Sequence, residues 1–148
     1  MKKSLIALSL IAACGLASAY DLSVGAGRVL GGHTAVGTAT LSETLPMGVD
    51  VGLNAQVAQN DRFQATTAFV GKTVNLYGLN VGARIGAGYL RANDPAQDGY
   101  TETAGLNVSY PLTQKVSVFF DSSRTFGVKN VPNRVEYTLN QVGAKFSF

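Results

Sequence analysis

The chain has no tryptophan, one cysteine, one histidine, two methionines and four prolines in 148 residues. It is also poor in charge. Asp, Glu, Lys and Arg make up 14% of it, against about 25% in ordinary soluble domains. Hydrophobic content, at 46%, is unexceptional. Low charge without extra hydrophobicity excludes little by itself, but it suits a protein with little surface facing water. The formal charge of +3 is misleading, because Lys2 and Lys3 lie in the first residues of the chain. Without them the balance is close to neutral, which removes any basic field for nucleic acid. No segment shows a helical period of 3.6, and no long apolar run occurs outside the N-terminus.

That N-terminus, "MKKSLIALSLIAACGLASAYDL", has two lysines, an apolar stretch from Leu5 to Ala13, and Ala17-Ser18-Ala19. This is the pattern of a secretory signal peptide. Cleavage is expected after Ala19, giving a signal over 1–19 and one domain over 20–148. The apolar stretch is shorter than the ~20 residues a helix needs to cross a bilayer. On this reading Cys14 is discarded, and the exported chain has neither a disulfide nor a Cys-based metal site. Ile11-Ala12-Ala13-Cys14 offers a second reading, in which Cys14 is acylated as in a lipoprotein.

What fills the rest is period-two alternation. Eight strands are expected, near 20–29, 34–43, 49–59, 63–71, 76–90, 100–110, 116–123 and 135–148. The fifth is clearest: Tyr77, Leu79, Val81, Ala83, Ile85, Ala87 and Tyr89 alternate with Gly78, Asn80, Gly82, Arg84, Gly86 and Gly88. In the fourth, Phe63, Ala65, Thr67 and Phe69 share the apolar face. In the eighth the phase slips near Asn140-Gln141, which suggests a bulge. The second face carries Gly, Ser, Thr, Asn, Gln and a few charges. A soluble barrel would place its larger aliphatics inside. A narrow eight-stranded barrel admits only modest side chains, so the small polar face is expected inward and the apolar face against lipid. The fold class is therefore all-β, an antiparallel up-and-down transmembrane β-barrel. Short connections at 44–48, 72–75 and 111–115 alternate with those at 30–33, 59–62, 91–99 and 124–134, as periplasmic turns alternate with outer loops. Under this topology Tyr20, Tyr77, Tyr110, Phe146 and Phe148 fall at one rim. Phe63, Tyr89, Tyr100 and Tyr137 fall at the other, as two aromatic girdles.

With its signal peptide, eight alternating strands and terminal "KFSF", the chain resembles the small outer-membrane β-barrels of the OmpA/OmpX type of Gram-negative bacteria. The resemblance implies a surface-interaction or structural role without a cofactor. It also implies that Phe146 and Phe148, with Ala144 and Val142, serve as a signal to the barrel-assembly machinery.

Charges expected in the lumen are Asp21, Asp50, Lys72, Arg84, Asp121 and Lys145. Asp21 with Lys145, and Arg84 with Asp121, are candidate pairs, since buried charges persist when paired. A plugged lumen is expected, and a narrow pore for small solutes is the alternative. Arg28, Arg62, Arg91, Arg124, Lys129 and Arg134 cluster at the outer end, where guanidinium groups suit lipopolysaccharide phosphates. The same end carries Asp61, Asp94, Asp98, Glu102 and Glu136. His33 with Ser122 or Ser123 and Asp121 forms the only set from which a lipid A-modifying hydrolytic site could be drawn. Asp121 is expected to point inward and no motif surrounds His33, so no enzyme, metal or cofactor is expected. The partners expected are outer-membrane lipids, lipopolysaccharide and the assembly machinery, with the chain as a monomer.

Overall fold

The computed structural model describes residues 20–127 and 136–148. The expected signal peptide, Cys14, Lys129 and Arg134 lie outside these residues.

Eight antiparallel strands form one closed sheet: β1 (Tyr20–Val29), β2 (Ala35–Leu45), β3 (Val49–Ala58), β4 (Phe63–Leu76), β5 (Leu79–Ala92), β6 (Gly99–Pro111), β7 (Val116–Gly127) and β8 (Tyr137–Ser147). Each pairs with its sequence neighbour, and β8 closes on β1, with Asp21 opposite Ser147 and Val29 opposite Leu139. Closure leaves no strand edge free. Partners followed once around the barrel run from Tyr20 through Glu43, Val51, Val70, Ile85, Ala104, Arg124 and Thr138. The Thr138 carbonyl then accepts from the Leu30 amide. The register thus climbs from residue 20 to residue 30 in one circuit, and a shear of this size tilts the strands by roughly 40°.

Tyr20, Phe148 and the connections 46–48, 77–78 and 112–115 lie at one end, called here the terminus end. The connections 30–34, 59–62 and 93–98 lie at the other, the loop end, together with Gly127 at the end of β7 and Tyr137 at the start of β8.

Alternation decides what faces where. Val24, Leu53, Val70, Ile85, Leu106, Phe120 and Val142 point outward and are exposed, while Thr40, Asn54, Thr67, Thr103, Asp121 and Gln141 point inward and are buried. A large apolar exterior around a polar interior inverts the arrangement of a water-soluble barrel.

Three expectations are corrected. First, the turn expected at 72–75 is strand. β4 and β5 extend to a two-residue turn at Tyr77-Gly78, both with positive φ, as in a type I′ hairpin. Asn75 Oδ1 accepts from the Gly78 amide. Tyr77 is therefore the fully exposed tip of a turn and not a strand residue.

Second, β4 is out of phase with its expected facing. Phe63, Ala65, Thr67 and Phe69 look inward, so Lys72 points outward and is exposed. Third, β8 runs without a bulge: its register is unbroken against both β7 and β1. Both of these errors have one cause. Tyr137 and Leu139, like Phe63, are large apolar residues that face the lumen at the loop end. The expected girdle there loses Phe63 and Tyr137 to the interior. It keeps Tyr89 and Tyr100, packed edge to face at 5.5 Å.

Candidate functional site in the barrel lumen

The lumen is stratified. At the terminus end, Lys145 Nζ on β8 donates to Asp21 Oδ2 on β1 at 2.9 Å, and Ser147 Oγ donates to the other carboxylate oxygen. The two residues meet because β8 and β1 are paired, which places Lys145 opposite Ser23 and Ser147 opposite Asp21. Asp50 accepts from Thr44 Oγ1 at 2.7 Å and from Thr73 Oγ1. Among the described residues its hydrogen bonds come from hydroxyls and no ion pair involves it. A cavity of about 80 Å³ lies between Asp21, Ser42, Asp50, Thr73, Arg84 and Lys145.

At mid-height Arg84 Nη2 on β5 reaches Asp121 Oδ1 on β7 at 2.9 Å. The intervening strand permits this because it presents Gly105, where a β-carbon would stand 3.3 Å from Arg84 Nε and 3.1 Å from Ser123 Cβ. The guanidinium also lies over Phe69, 5.3 Å from the ring centre. Gln141 Nε2 donates to the same Asp121 oxygen at 3.0 Å, and Thr38 Oγ1 donates to Gln141 Oε1. Phe119 fills the lumen beside Gly143 on β8, where a β-carbon would come within 2.7 Å of the ring.

Higher still, Asn54 Nδ2 donates to Thr40 Oγ1 at 2.7 Å and Gln56 Nε2 donates to Asn54 Oδ1 at 2.9 Å. Tyr137 Oη donates to Gln56 Oε1 at 2.7 Å. At the loop end of the lumen Val36, Ala58, Phe63, Ala65, Leu90, Tyr137 and Leu139 form one buried apolar cluster, flanked by the buried hydroxyls of Thr101, Ser123 and Thr125 on β6 and β7. The rings of Phe63 and Tyr137 lie 4.8 Å apart.

Of the six charges expected in the lumen, four form two separate ion pairs, Asp50 is held by hydroxyls and Lys72 points outward. The polar partners Thr38, Asn54, Gln56, Gln141 and Tyr137 are absent from the sequence-based set, although each occupies an inward position of its strand. The amide side chains at alternate positions of β3 and the Gln on β8 were the available signal.

The surface residues are spread around the rim. Arg28 and Arg91 are exposed, and Arg62 Nη1 donates to Thr34 Oγ1 at 3.1 Å. Arg124 lies 3.7 Å from Glu136 and over Phe126. His33 is exposed in the first loop-end connection. Ser122 is on the outer wall, bonded to Asn140, whereas Ser123 and Asp121 are buried in the lumen. The groups of the conceivable hydrolytic set are thus divided between loop, outer wall and interior. Phe146 pairs between Leu22 and Val116 at the seam, and the Phe148 amide donates to the Tyr20 carbonyl at 3.0 Å with its ring exposed.

A closed eight-stranded antiparallel barrel with an apolar wall and a polar, side-chain-lined lumen has the architecture of the small transmembrane β-barrels. The solved structures agree on the fold. The N-terminal β-barrel domain of Pseudomonas aeruginosa OprF is similar over 88% of this chain and 98% of its own, with a TM-score of 0.70 at 12% identity. A de novo designed transmembrane β-barrel covers 90% of this chain and 98% of its own, with a TM-score of 0.69 at 10% identity. Neisserial surface protein A covers 88% and 95%, with a TM-score of 0.61 at 12% identity. No family model and no curated protein matches the sequence. The chain thus has the fold of the eight-stranded outer-membrane barrels.

Proposed function

We propose that the protein is an integral outer-membrane barrel with a structural or surface-interaction role, its wall in lipid and its lumen filled by side chains. The observation that carries this reading is the inverted distribution of polarity. Ile85, Leu106 and Val142 on the wall are 65%, 64% and 61% exposed, while Asn54 and Gln141 inside are 3% exposed. Apolar patches larger than a few hundred Å² are rare on water-soluble monomers, and here the apolar surface encircles the barrel. A hydrocarbon environment removes that conflict, and closure satisfies the backbone of every strand within it.

The orientation follows from export: the termini and short turns lie on the periplasmic side, after removal of a leader ending at Ala19, and the loop end faces outward. Arg28, Arg62, Arg91 and Arg124 then stand where phosphates of lipopolysaccharide lie, and bidentate guanidinium–phosphate pairing suits them to that contact. The sequence adds Lys129 and Arg134 to this set. Phe146 and Phe148 at the seam serve as the assembly signal, and the barrel acts as a monomer. Outer-membrane fractions run on denaturing gels with and without boiling test the reading. A heat-dependent shift in mobility is expected, whereas recovery of the protein in the soluble periplasmic fraction would overturn it.

A further inference from the structure

The charged side chains of the lumen are most exposed at the terminus end. The side chains of Lys145 and Asp21 at the terminus end are 28% and 17% exposed, that of Arg84 is 16% and that of Asp121 is 1%. Beyond them Gln141, Asn54 and Gln56 are 3% exposed, and Leu90 and Leu139 are 1% and 0%. Free space falls in the same direction. The cavity of about 80 Å³ at the terminus end has room for several waters, since one needs roughly 10–15 Å³. Above Arg84 lies a smaller pocket, of about 10 Å³, among Asn54, Gln56, Thr67 and Thr103. Next comes the apolar cluster, whose own side chains offer water and ions only the Tyr137 hydroxyl, already engaged by Gln56; the buried hydroxyls of Thr101, Ser123 and Thr125 on β6 and β7 flank it.

From this gradient we infer that the lumen is a blind aqueous vestibule, open at the terminus end and sealed near the loop end by a dry apolar layer. The layer is built from Phe63, Leu90, Tyr137 and Leu139, which β4, β5 and β8 bring together. It, and not the Arg84–Asp121 pair, is the barrier to ion passage. A hydrophobic constriction stops ions by refusing water, because an ion entering it must shed its hydration without replacement. The ion pair lies on the wetted side: Arg84 borders the cavity, and a charged pair there offers hydration substitutes to a passing ion. This inference rests on the membrane-barrel reading and refines what the filled lumen does.

The test compares three purified proteins in planar bilayers with potassium chloride: wild type, Leu90→Ala/Leu139→Ala, and Arg84→Gln/Asp121→Asn. Boiled and unboiled samples of each are run on gels, so that a failure of the membrane-barrel reading shows as absent heat-modifiability and is distinct from a failure of the seal. Wild type is expected to be silent. The apolar-layer variant is expected to carry current at least about tenfold above the wild-type baseline, and the charge-pair variant to stay within about twofold of it. Should the leucine pair not fold, Phe63→Ala/Tyr137→Ala opens the same layer from its other members and is read identically. Conduction by wild type, conduction by the charge-pair variant, or silence of a folded apolar-layer variant would each overturn the inference.

Discussion

Removing one member of the Arg84–Asp121 pair should be among the most damaging single changes in the barrel, and the two members should differ. The pair is at mid-height in the lumen, 2.9 Å apart, with side-chain exposures of 16% for Arg84 and 1% for Asp121. Breaking a buried ion pair from one side costs about 3–5 kcal/mol, because the survivor keeps its desolvation penalty and loses its compensation. The survivors here are unequal. After Asp121→Ala, Arg84 borders the vestibule and can turn toward water, which reduces the cost to the lower end, about 3 kcal/mol. After Arg84→Ala, Asp121, which lines the same cavity but is only 1% exposed, keeps the Gln141 amide as its donor, and the cost should approach about 5 kcal/mol. The double variant should lose less than the sum, with a coupling of about 1–3 kcal/mol. Urea unfolding in lipid vesicles, followed by the gel mobility of unboiled samples, measures all three. Tryptophan emission is not an option, since the chain has none. Loss below about 1 kcal/mol for Arg84→Ala, the value of an exposed pair, would refute the reasoning, as would a larger loss for Asp121→Ala.

Other changes follow from the same geometry. Asp21→Asn at the mouth of the lumen disrupts a partly exposed pair, so it should cost no more than about 1 kcal/mol in the same unfolding assay. Gly143→Leu should block closure of β8 on β1, because its β-carbon would stand 2.1 Å from the Val24 carbonyl oxygen. The check is the loss of the compact unboiled band. Deletion of Phe148 should lower the amount inserted in cells, read as folded band per cell, while protein refolded into vesicles keeps its stability. Replacing Arg28, Arg62 and Arg91 by Gln should reduce lipopolysaccharide co-purifying with the protein, and an unchanged yield would remove these residues from that role.

Much of the fold was legible because closure and strand length need only period-two alternation, and six of the eight strands obey it cleanly. The legible part of the lumen was its charges: Asp21, Arg84, Asp121 and Lys145 stand out against a small polar face. What misled was the assumption that one side of every strand is apolar over its whole length. Phe63, Tyr137 and Leu139 belong to the inward face where the lumen is filled with apolar side chains. Reading them as lipid-facing shifted the phase of β4, suggested a bulge in β8 and turned Lys72 inward. Composition along one strand cannot reveal such a layer, since its members come from five strands and meet only when the barrel closes. The extension of β4 and β5 to Tyr77-Gly78 was hidden for a related reason. A tyrosine at positive φ is an unfavourable turn residue, and the alternation of β5 could absorb it.

The central claim is that the outward face of each strand meets lipid and the inward face does not. Single nitroxide labels on consecutive positions of β5 and β6, from Ala83 to Ala87 and from Thr103 to Asn107, test it most directly in reconstituted vesicles. The account predicts that Ala83, Ile85, Ala87, Ala104 and Leu106 collide with dissolved oxygen and are shielded from a water-soluble paramagnetic ion, with period two. Arg84, Gly86, Thr103, Gly105 and Asn107 should show little oxygen collision. Strong collision of the water-soluble ion with the labels at Ile85 and Leu106 would contradict it.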